Sequence, residues 1–272
     1  MSNEAAPDSA TAATGSSTKW VALAAMMFAV SMMFIDQTIV SIAIPTIQTE
    51  LGLSDAGVQW VINGYLLSLS AFFALGGRLS DILGHKRMVL LGVTIFAISS
   101  AMCGATPDSS IAEAWLIFFR ILQGIGAALL FPAALAIVVS AFPLKERGKA
   151  LALFFGITGG LTAIGPILGG YLSEWTWRAI FWVNVPVAII AIILTLIAKI
   201  HTKHKREPLD YKGAVLIALG MGFSVLGLQQ ASSWGWGSWK TIGSIVLGLA
   251  LLVVFVKVET KVKIPLIKVE IF

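Results

Sequence analysis

The amino-acid sequence predicts an all-α integral membrane protein. Of its 272 residues, 57% are hydrophobic and only 12% are charged, whereas soluble domains carry roughly 25% charged residues. Apolar runs of about twenty residues, long enough for a helix to cross the hydrocarbon core, recur along the whole chain. These runs lack the two-residue alternation of membrane-spanning β-strands. The three observations together favour a bundle of membrane-spanning helices.

Eight apolar runs are long enough to be membrane spans. In chain order, they cover residues 20–44, 58–78, 88–106, 112–141, 150–172, 178–198, 214–232 and 241–258. Short connections join the first six spans, so residues 20–198 are expected to form one six-helix bundle. The longest polar connection, residues 199–213, is expected to be a linker to a two-helix hairpin at 214–259. Few polar groups occur in that hairpin, which favours a lipid-facing position.

The two chain ends carry no predicted span. The first eighteen residues are small and polar and contain no basic residue, so residues 1–19 are expected to form a disordered tail rather than a signal peptide. Residues 260–272 are basic and then apolar, with no span after them. We expect this segment to be the approach to a ninth span that lies outside the chain.

The distribution of lysine and arginine predicts the orientation in the membrane. Of the 19 basic residues, all except Arg120, Arg178 and Lys240 lie on the side of the N-terminus. Cytoplasmic loops are enriched in such residues, so both termini are expected to be cytoplasmic in a multi-pass protein of the cell membrane. Of the nine tryptophans, only Trp20 falls at the inner boundary. The net charge of +5 is therefore explained by topology and does not indicate nucleic acid as a partner.

Two charged residues lie inside predicted spans. Burying a charge in hydrocarbon costs about 2.5–3.5 kcal/mol on insertion scales, and Asp36 in the first span and Arg120 in the fourth lie at one depth. One hypothesis is a structural ion pair between two helices. The other, which we favour, is that Asp36 exchanges protons or binds substrate while Arg120 tunes it. Gln123, Asn63 and Tyr65 are the neighbouring residues that could complete a polar cavity.

The fifth span is rich in glycine around a proline. Proline removes a backbone hydrogen bond and kinks a helix, while small residues let helices pack closely. This composition is typical either of a sliding interface or of static close packing. The residues concerned are Gly156, Gly160, Gly165, Pro166, Gly169 and Gly170.

No motif of an enzyme or a metal site is found. The three histidines, His85, His201 and His204, fall in polar connections without metal-ligand spacing. Neither a phosphate-binding glycine loop nor a nucleophile elbow occurs, so ATP-driven pumping is not predicted. We therefore expect neither an enzyme nor a cofactor.

Four ordered motifs resemble those of the major facilitator superfamily, in particular its drug/proton antiporter branch with fourteen spans. The stretch GRLSDILGHKR at 77–87 resembles the loop motif between the second and third spans, although Ile82 replaces a basic residue. FIDQTIVSIAIP at 34–45 and RILQGIGAALLFP at 120–132 resemble the first-span and fourth-span motifs. GPILGG at 165–170 is similar to the antiporter motif of the fifth span, and WRAIFWVNVP at 177–186 is also similar to this branch.

The resemblance implies a fold and an activity. It implies a major facilitator N-terminal six-helix bundle plus the two-helix hairpin, with eight spans in all, as part of a longer transporter. The implied activity is proton-coupled export of a small lipophilic or cationic compound by alternating access. Asp36, with Arg120, Gln123 and Asn63, would bind proton and substrate. The cytoplasmic gate would comprise Gly77, Arg78, Asp81, Gly84, Lys86 and Arg87.

Further partners and alternatives follow from the same resemblance. In this family the loop aspartate caps a helix of the second half, which makes the missing C-terminal half a partner of Asp81, together with the lipid bilayer, protons and the transported small molecule. One alternative is a metabolite carrier of the same superfamily. Another is a non-transporting membrane protein: a transport-dead fragment, an assembly partner or a sensor.

Overall fold

The computed structural model describes residues 9–198, 200 and 210–262, and within these ranges the secondary structure is helical with no strands. Ten helices follow one another in the order α1 Ser9–Leu51, α2 Asp55–Leu83, α3 His85–Gly104, α4 Ala112–Ala141, α5 Leu144–Thr162, α6 Ile164–Trp175, α7 Ala179–Trp182, α8 Asn184–Ile197, α9 Tyr211–Trp234 and α10 Trp239–Glu259.

Eight stretches of the described chain are long and apolar enough to cross a membrane, which confirms the predicted fold class and span count. Two spans are each made of two helices: α5 with α6 covers Leu144–Trp175, and α7 with α8 covers Ala179–Ile197. The break between α5 and α6 falls at Ala163, three residues before Pro166, whose ring cannot be accommodated in an unbroken helix without a kink. The kink predicted for the fifth span is therefore present.

Helix ends differ from the sequence prediction at several places. Helix α1 begins at Ser9, inside the segment expected to be a disordered tail, because alanine at positions 10, 12 and 13 is the strongest helix former. Helix α9 begins at Tyr211, inside the predicted linker, because the Asp210 carboxylate caps it by accepting the N–H of Lys212 at 3.0 Å. The rest of that linker, 199 and 201–209, lies outside the described residues, as does most of the predicted terminal segment, at 263–272.

Helix α4 lies in the middle of the six-span bundle and packs closely on α2 and α3. Small residues permit this approach, because a Cβ on Gly76 of α2 would collide with the carbonyl oxygen of Ala128, and one on Gly92 of α3 would lie 2.7 Å from the carbonyl oxygen of Gly126. The buried core around α4 includes Phe96, Leu130 and Ile137. The close packing fixes the depth of every α4 side chain relative to its neighbours.

The hairpin of α9 and α10 packs against the six-span bundle through α2. At its lysine-rich end, Ala214, Ile217 and Phe255 form a small buried cluster with Ala74 and Leu75 of α2. At the tryptophan-rich end, Ser233 Oγ donates to Gln59 Oε1 at 2.5 Å. One helical turn along α2, Asn63 makes a second polar contact with the hairpin. One side of α9 is thus covered by α2, while apolar side chains such as Leu228 of α9 and Val246 of α10 are exposed on other sides of the hairpin.

Candidate functional site

The predicted pair of intramembrane charges forms a direct ion pair at the centre of the bundle. Arg120 Nη1 lies 2.5 Å from Asp36 Oδ2, and the side chains are 2% and 0% exposed. Gln123, one turn further along α4, donates from Nε2 to the other oxygen of Asp36 at 2.8 Å and accepts from Arg120 Nη1 at 2.8 Å. Arg120 and Gln123, three positions apart on one face of α4, therefore donate hydrogen bonds to both oxygens of the Asp36 carboxylate.

The guanidinium of Arg120 is held from two further directions. Its Nε donates to the carbonyl oxygen of Val61 at 3.0 Å, and its Cζ lies 4.4 Å from the ring centroid of Tyr65. The planar guanidinium can satisfy these partners simultaneously, which an ammonium group on a lysine stem could not. Tyr65 thus belongs to the site, as the sequence suggested.

Asn184, the first residue of α8, is a further ligand of Asp36 that the sequence analysis did not identify. Its Nδ2 donates to Asp36 Oδ1 at 3.0 Å and lies 2.9 Å from Ser100 Oγ on α3. Ser100 in turn donates to the carbonyl oxygen of Phe181 at 2.8 Å. The signal available in the sequence was an amide inside the otherwise apolar stretch FWVNVP, in a motif already singled out.

The structure does not bring Asn63, a predicted site residue, into this network. Its Nδ2 lies 3.4 Å from Gln230 Oε1 on α9. Val61 and Tyr65 are four residues apart on α2 and both face α4, whereas Asn63 lies two residues from each and points to a different side of the helix. Asn63 instead forms the second polar contact between α2 and the hairpin.

The predicted gate residues lie at the end of α2 and the start of α3 rather than in an extended loop. Gly77, Arg78 and Asp81 lie in the last turns of α2, Gly84 is the only residue between α2 and α3, and its φ of 98° explains the glycine. Helix α3 then starts at His85, followed by Lys86 and the exposed Arg87.

The polar groups of this turn have different partners. Asp81 is 61% exposed, with His85 Nε2 4.0 Å away, while His85 Nδ1 forms a short contact with Ser80 Oγ. Lys86 Nζ donates to the carbonyl oxygens of Leu196 and Ala198 at 3.3 and 3.2 Å, at the end of α8. Lys86 therefore caps the sixth span, and the Asp81 carboxylate remains accessible.

The glycines of the fifth span divide into two faces. A Cβ on Gly165 would collide with Thr38 Oγ1, and one on Gly169 would lie 3.1 Å from the carbonyl oxygen of Ile39, so both glycines pack against α1. Gly156, Gly160 and Gly170 are exposed, and a Cβ there would meet nothing within 4 Å. The first face is static packing, and the second is an open surface of small residues.

Thr38 connects the kink of the fifth span to the helix that carries Asp36. Its Oγ1 lies 3.1 Å from the carbonyl oxygen of Thr162. Pro166 has no N–H to donate to that carbonyl, which lies four residues earlier. A hydroxyl two residues from Asp36 is therefore within hydrogen-bond distance of the acceptor that the proline leaves without its helical partner, and equally 3.1 Å from the carbonyl oxygen of Ile35 on its own helix.

The site is a buried carboxylate held by one cation and two amides, and the residues that the structure describes bring no metal-ligating cluster to it. No group of three or more metal-ligating side chains occurs among the residues that the structure describes. The carboxylate is paired with one cation and accepts amide N–H groups from two helices, α4 and α8. Its contacts join α1, α4 and α8, so a change in its charge acts on three spans at once.

Three comparisons with known proteins agree with this architecture. The sequence profile of the Major Facilitator Superfamily matches residues 26–258. The chain is 37% identical over 256 residues to the tetracenomycin C resistance and export protein of Streptomyces glaucescens, covering 93% of this chain and 47% of that protein. It is 36% identical over 252 residues to the puromycin resistance protein of Streptomyces alboniger, covering 92% and 49%.

The chain thus spans about half the length of the curated relatives it matches. A similar fold is found in the peptide transporter POT, solved in complex with sulfate. The TM-score is 0.63 at 16% identity, over 89% of this chain and 52% of that chain. This likeness concerns the fold alone.

Proposed function

The chain belongs to the Major Facilitator Superfamily, and on that premise we propose that it acts as one half of a proton-coupled exporter of small lipophilic or cationic compounds. The observation that carries the proposal is the buried network around Asp36. An ionisable residue inside the membrane is costly and marks a proton or substrate pathway in many transporters. The export function named for the tetracenomycin C relative supports the direction of transport.

Asp36 is the group that we propose carries the proton. In the closed network its negative charge is balanced by Arg120 and stabilised by the amides of Gln123 and Asn184. Protonation removes that charge, which weakens the contact with Arg120 and frees the guanidinium. Because these partners sit on α4 and α8, protonation changes the force between α1 and two other spans, as alternating access requires.

The open glycine surface of α5 and α6 supports a second half as a partner. Gly156, Gly160 and Gly170 present backbone without side chains, which allows another helix to approach closely and to slide. The exposed carboxylate of Asp81 is available to cap a helix N-terminus on the same partner. We propose that these two features form the moving interface and the gate at the lysine-rich end.

We further propose that the lysine-rich end faces the cytoplasm of a cell membrane. The basic residues and tryptophans support this orientation. A cysteine placed at the exposed Gly237, between α9 and α10, should then react with a membrane-impermeant maleimide added to whole cells, while one at Lys212 should not. The buried Cys103 leaves the background low. The reverse labelling pattern would overturn the orientation.

The direct test of the proposed function is drug flux in proteoliposomes containing the transporter of which this chain forms the first half. An imposed pH gradient should drive uptake of the drug, and Asp36→Asn should abolish this gradient dependence, since the amide cannot take up a proton. Asp36→Glu should retain part of it. Asn63→Ala is the control, because Asn63 lies outside the network and should leave flux intact.

The same experiment separates the alternatives. If Asp36→Asn keeps gradient-driven flux, the network is a structural ion pair and the proton is carried elsewhere. If the wild-type protein moves a metabolite inward and no drug outward, the chain belongs to a carrier. If the wild-type protein transports neither the drug nor a metabolite, the chain is a non-transporting membrane protein.

A further inference from the structure

We infer that a groove between the hairpin and the six-span bundle binds an acyl chain of a bilayer phospholipid. The groove has a volume of about 290 Å³ and lies between α2 and α9, where Ile121 of α4 also lines it. Its other walls come from positions 64–72 of α2 and 218–226 of α9. The Asp36 network contributes no residue to these walls, so the inference is independent of the proposed function.

The groove lies in the middle of two membrane-spanning helices. Helix α2 has nine residues before position 64 and eleven after position 72. Helix α9 has seven residues before position 218 and eight after position 226. Because both helices are long and apolar enough to cross a membrane, the groove lies at the depth of the hydrocarbon core. The molecules that surround the protein at this depth are lipid acyl chains.

Contacts between α2 and the hairpin close both ends of the groove. Towards the lysine-rich end, Ala74 packs against the buried cluster that contains Ile217. Towards the tryptophan-rich end, Ser233 bonds to Gln59. One wall residue between these ends, Leu219, is 47% exposed, so the groove opens sideways. An acyl chain can therefore enter from the bilayer without passing either end.

The walls favour hydrocarbon over water or a polar ligand. None of the lining residues is charged, and the single polar side chain among them is Ser68. Its hydroxyl lies 2.8 Å from the carbonyl oxygen of Gly64 and 3.0 Å from that of Tyr65, so it donates within its own helix. A water molecule in a protein interior needs about two to four polar partners. The groove does not supply them, whereas an acyl chain needs none.

The shape of the groove suits a slender chain. From position 64 to position 72 it runs about 12 Å along α2. Gly222 and Ala71 keep the facing helices close, since a Cβ on Gly222 would lie 3.6 Å from the Cβ of Ala71. Pockets for compact ligands usually have about 300 Å³ or more. A volume of about 290 Å³ drawn out between two helices fits a flexible chain better than a rigid ring system.

A chain in the groove is held by more protein than a chain on an open helix face. The groove contacts it from α2, α4 and α9. The outer face of α10, where Leu249 and Val253 are more than half exposed, offers a single helix. Dispersion attraction is small for each atom pair but large when summed over many pairs. The chain in the groove should therefore exchange with bulk lipid more slowly than one on α10.

Photochemical labelling with a lipid probe tests this difference. The 272-residue chain is reconstituted in nanodiscs that contain a phosphatidylcholine with a diazirine near the end of one acyl chain. After illumination, peptide mass spectrometry locates the label. Positions 64–72 and 218–226 should carry at least about three-fold more label than positions 246–254 in the middle of α10, because three helices contact the chain in the groove.

A second probe tests the depth. It carries the diazirine next to the ester group, which lies at the polar boundary of the bilayer and not at its middle. This probe should label the two groove segments much less than the first probe does. Equal labelling of the groove by both probes would contradict the placement of an acyl chain at this depth.

Matched variants assign the label to the groove. Ala218→Phe places a ring in the groove and should reduce the label on positions 64–72 to the level found on α10. Ala250→Phe is the control, because Ala250 is exposed on α10 and the same ring there should change nothing in the groove. Leu219→Trp covers the opening from an exposed position, which leaves the packing of α2 on α9 intact, and should give the same loss as Ala218→Phe.

Equal labelling of the groove and of α10 in the wild-type protein would overturn the inference. Unchanged labelling in both Ala218→Phe and Leu219→Trp would also overturn it. The measurement is repeated on the chain joined to the second half that we propose. Loss of the groove label there would show that a helix of that half covers the groove, which would refute a lipid as its occupant. Flux measurements decide the proposed function separately.

Discussion

At the scale of single residues, the carboxylate of Asp36 depends on several donors of unequal strength. Arg120 supplies the opposite charge, while Gln123 and Asn184 both donate to Oδ1. A buried carboxylate without such partners would be strongly disfavoured. Asn184 therefore stabilises the folded protein even though it carries no charge.

Replacement of Asn184 by alanine tests this contribution. Because the amide donates to a charged group, Asn184→Ala should lower the free energy of unfolding by about 1.5–3 kcal/mol. Thermal or denaturant unfolding in detergent measures the loss. Asn63→Ala is the matched control, since its contact with Gln230 is longer, at 3.4 Å, and joins two neutral amides. Equal losses in the two variants would show that Asn184 does not stabilise the charge.

The residues of the network were predictable to different degrees. Asp36 and Arg120 could be paired from sequence because a charge in hydrocarbon is too costly to remain alone. Asn184 could not be assigned to the network from sequence, because burying an amide inside a span costs less free energy than burying a charge, and residues of several helices could bond to it. The contact of Asn63 with Gln230 could not be predicted, because depth along a helix can be read from sequence, whereas the side that faces a neighbour depends on how the helices pack.

At the scale of secondary-structure elements, the kink between α5 and α6 is stabilised from α1. Pro166 cannot donate to the carbonyl of Thr162, and the Thr38 hydroxyl, which that carbonyl shares with the carbonyl of Ile35 as a donor, lies 3.1 Å from it. Gly165 leaves the space that this hydroxyl occupies. The contact joins the helix of the proposed proton site to the helix of the proposed moving interface.

Substitution of Thr38 by valine should destabilise the protein by about 1–3 kcal/mol, the cost of leaving a buried acceptor unsatisfied. Thr38→Ser keeps the hydroxyl and should lose much less. In the double variant Thr38→Val/Pro166→Ala, the new N–H at position 166 can bond to Thr162, so part of the stability should return. Unfolding measurements that show no recovery would contradict this account of the kink.

Two adjacent glycines of α2 have different surroundings. Gly76 packs closely against α4, whereas the predicted gate residue Gly77 does not. A Cβ on Gly76 would collide with the backbone of Ala128, so Gly76→Ala should cost about 1–3 kcal/mol of stability through overpacking. A Cβ on Gly77 would lie 3.7 Å from Pro132 Cβ, which is an ordinary contact. Gly77→Ala should therefore leave the unfolding free energy nearly unchanged. Thermal unfolding of both variants compares them, and a larger loss for Gly77→Ala would refute the packing argument.

Element boundaries show which local signals a sequence carries. The break near Pro166 was predicted because proline acts on its own helix, whatever surrounds it. The start of α9 was placed too late because Asp210 acts as an N-cap only when the chain bends there. The contact of α9 with α2 was missed because it depends on Gln59 and Asn63 meeting residues far along the chain.

At the scale of the whole molecule, the six-span bundle is built around a central ion pair and has an exposed glycine surface on α5 and α6. The hairpin is fastened to α2 at both ends by apolar and polar contacts. The exposed glycine surface and the accessible Asp81 are two features available to a partner. Proton binding at Asp36 would change the contacts between α1, α4 and α8, and through these helices it would affect the surfaces available to a partner.

The most direct test of the central claim is proton release on substrate binding. The purified protein, joined to the second half that we propose, is mixed with the drug in weakly buffered detergent solution, and a pH dye records the protons released. Wild-type protein should release protons as the drug binds, Asp36→Asn should bind drug without release, and Asn63→Ala should behave as wild type. Undiminished release from Asp36→Asn would show that another group carries the proton.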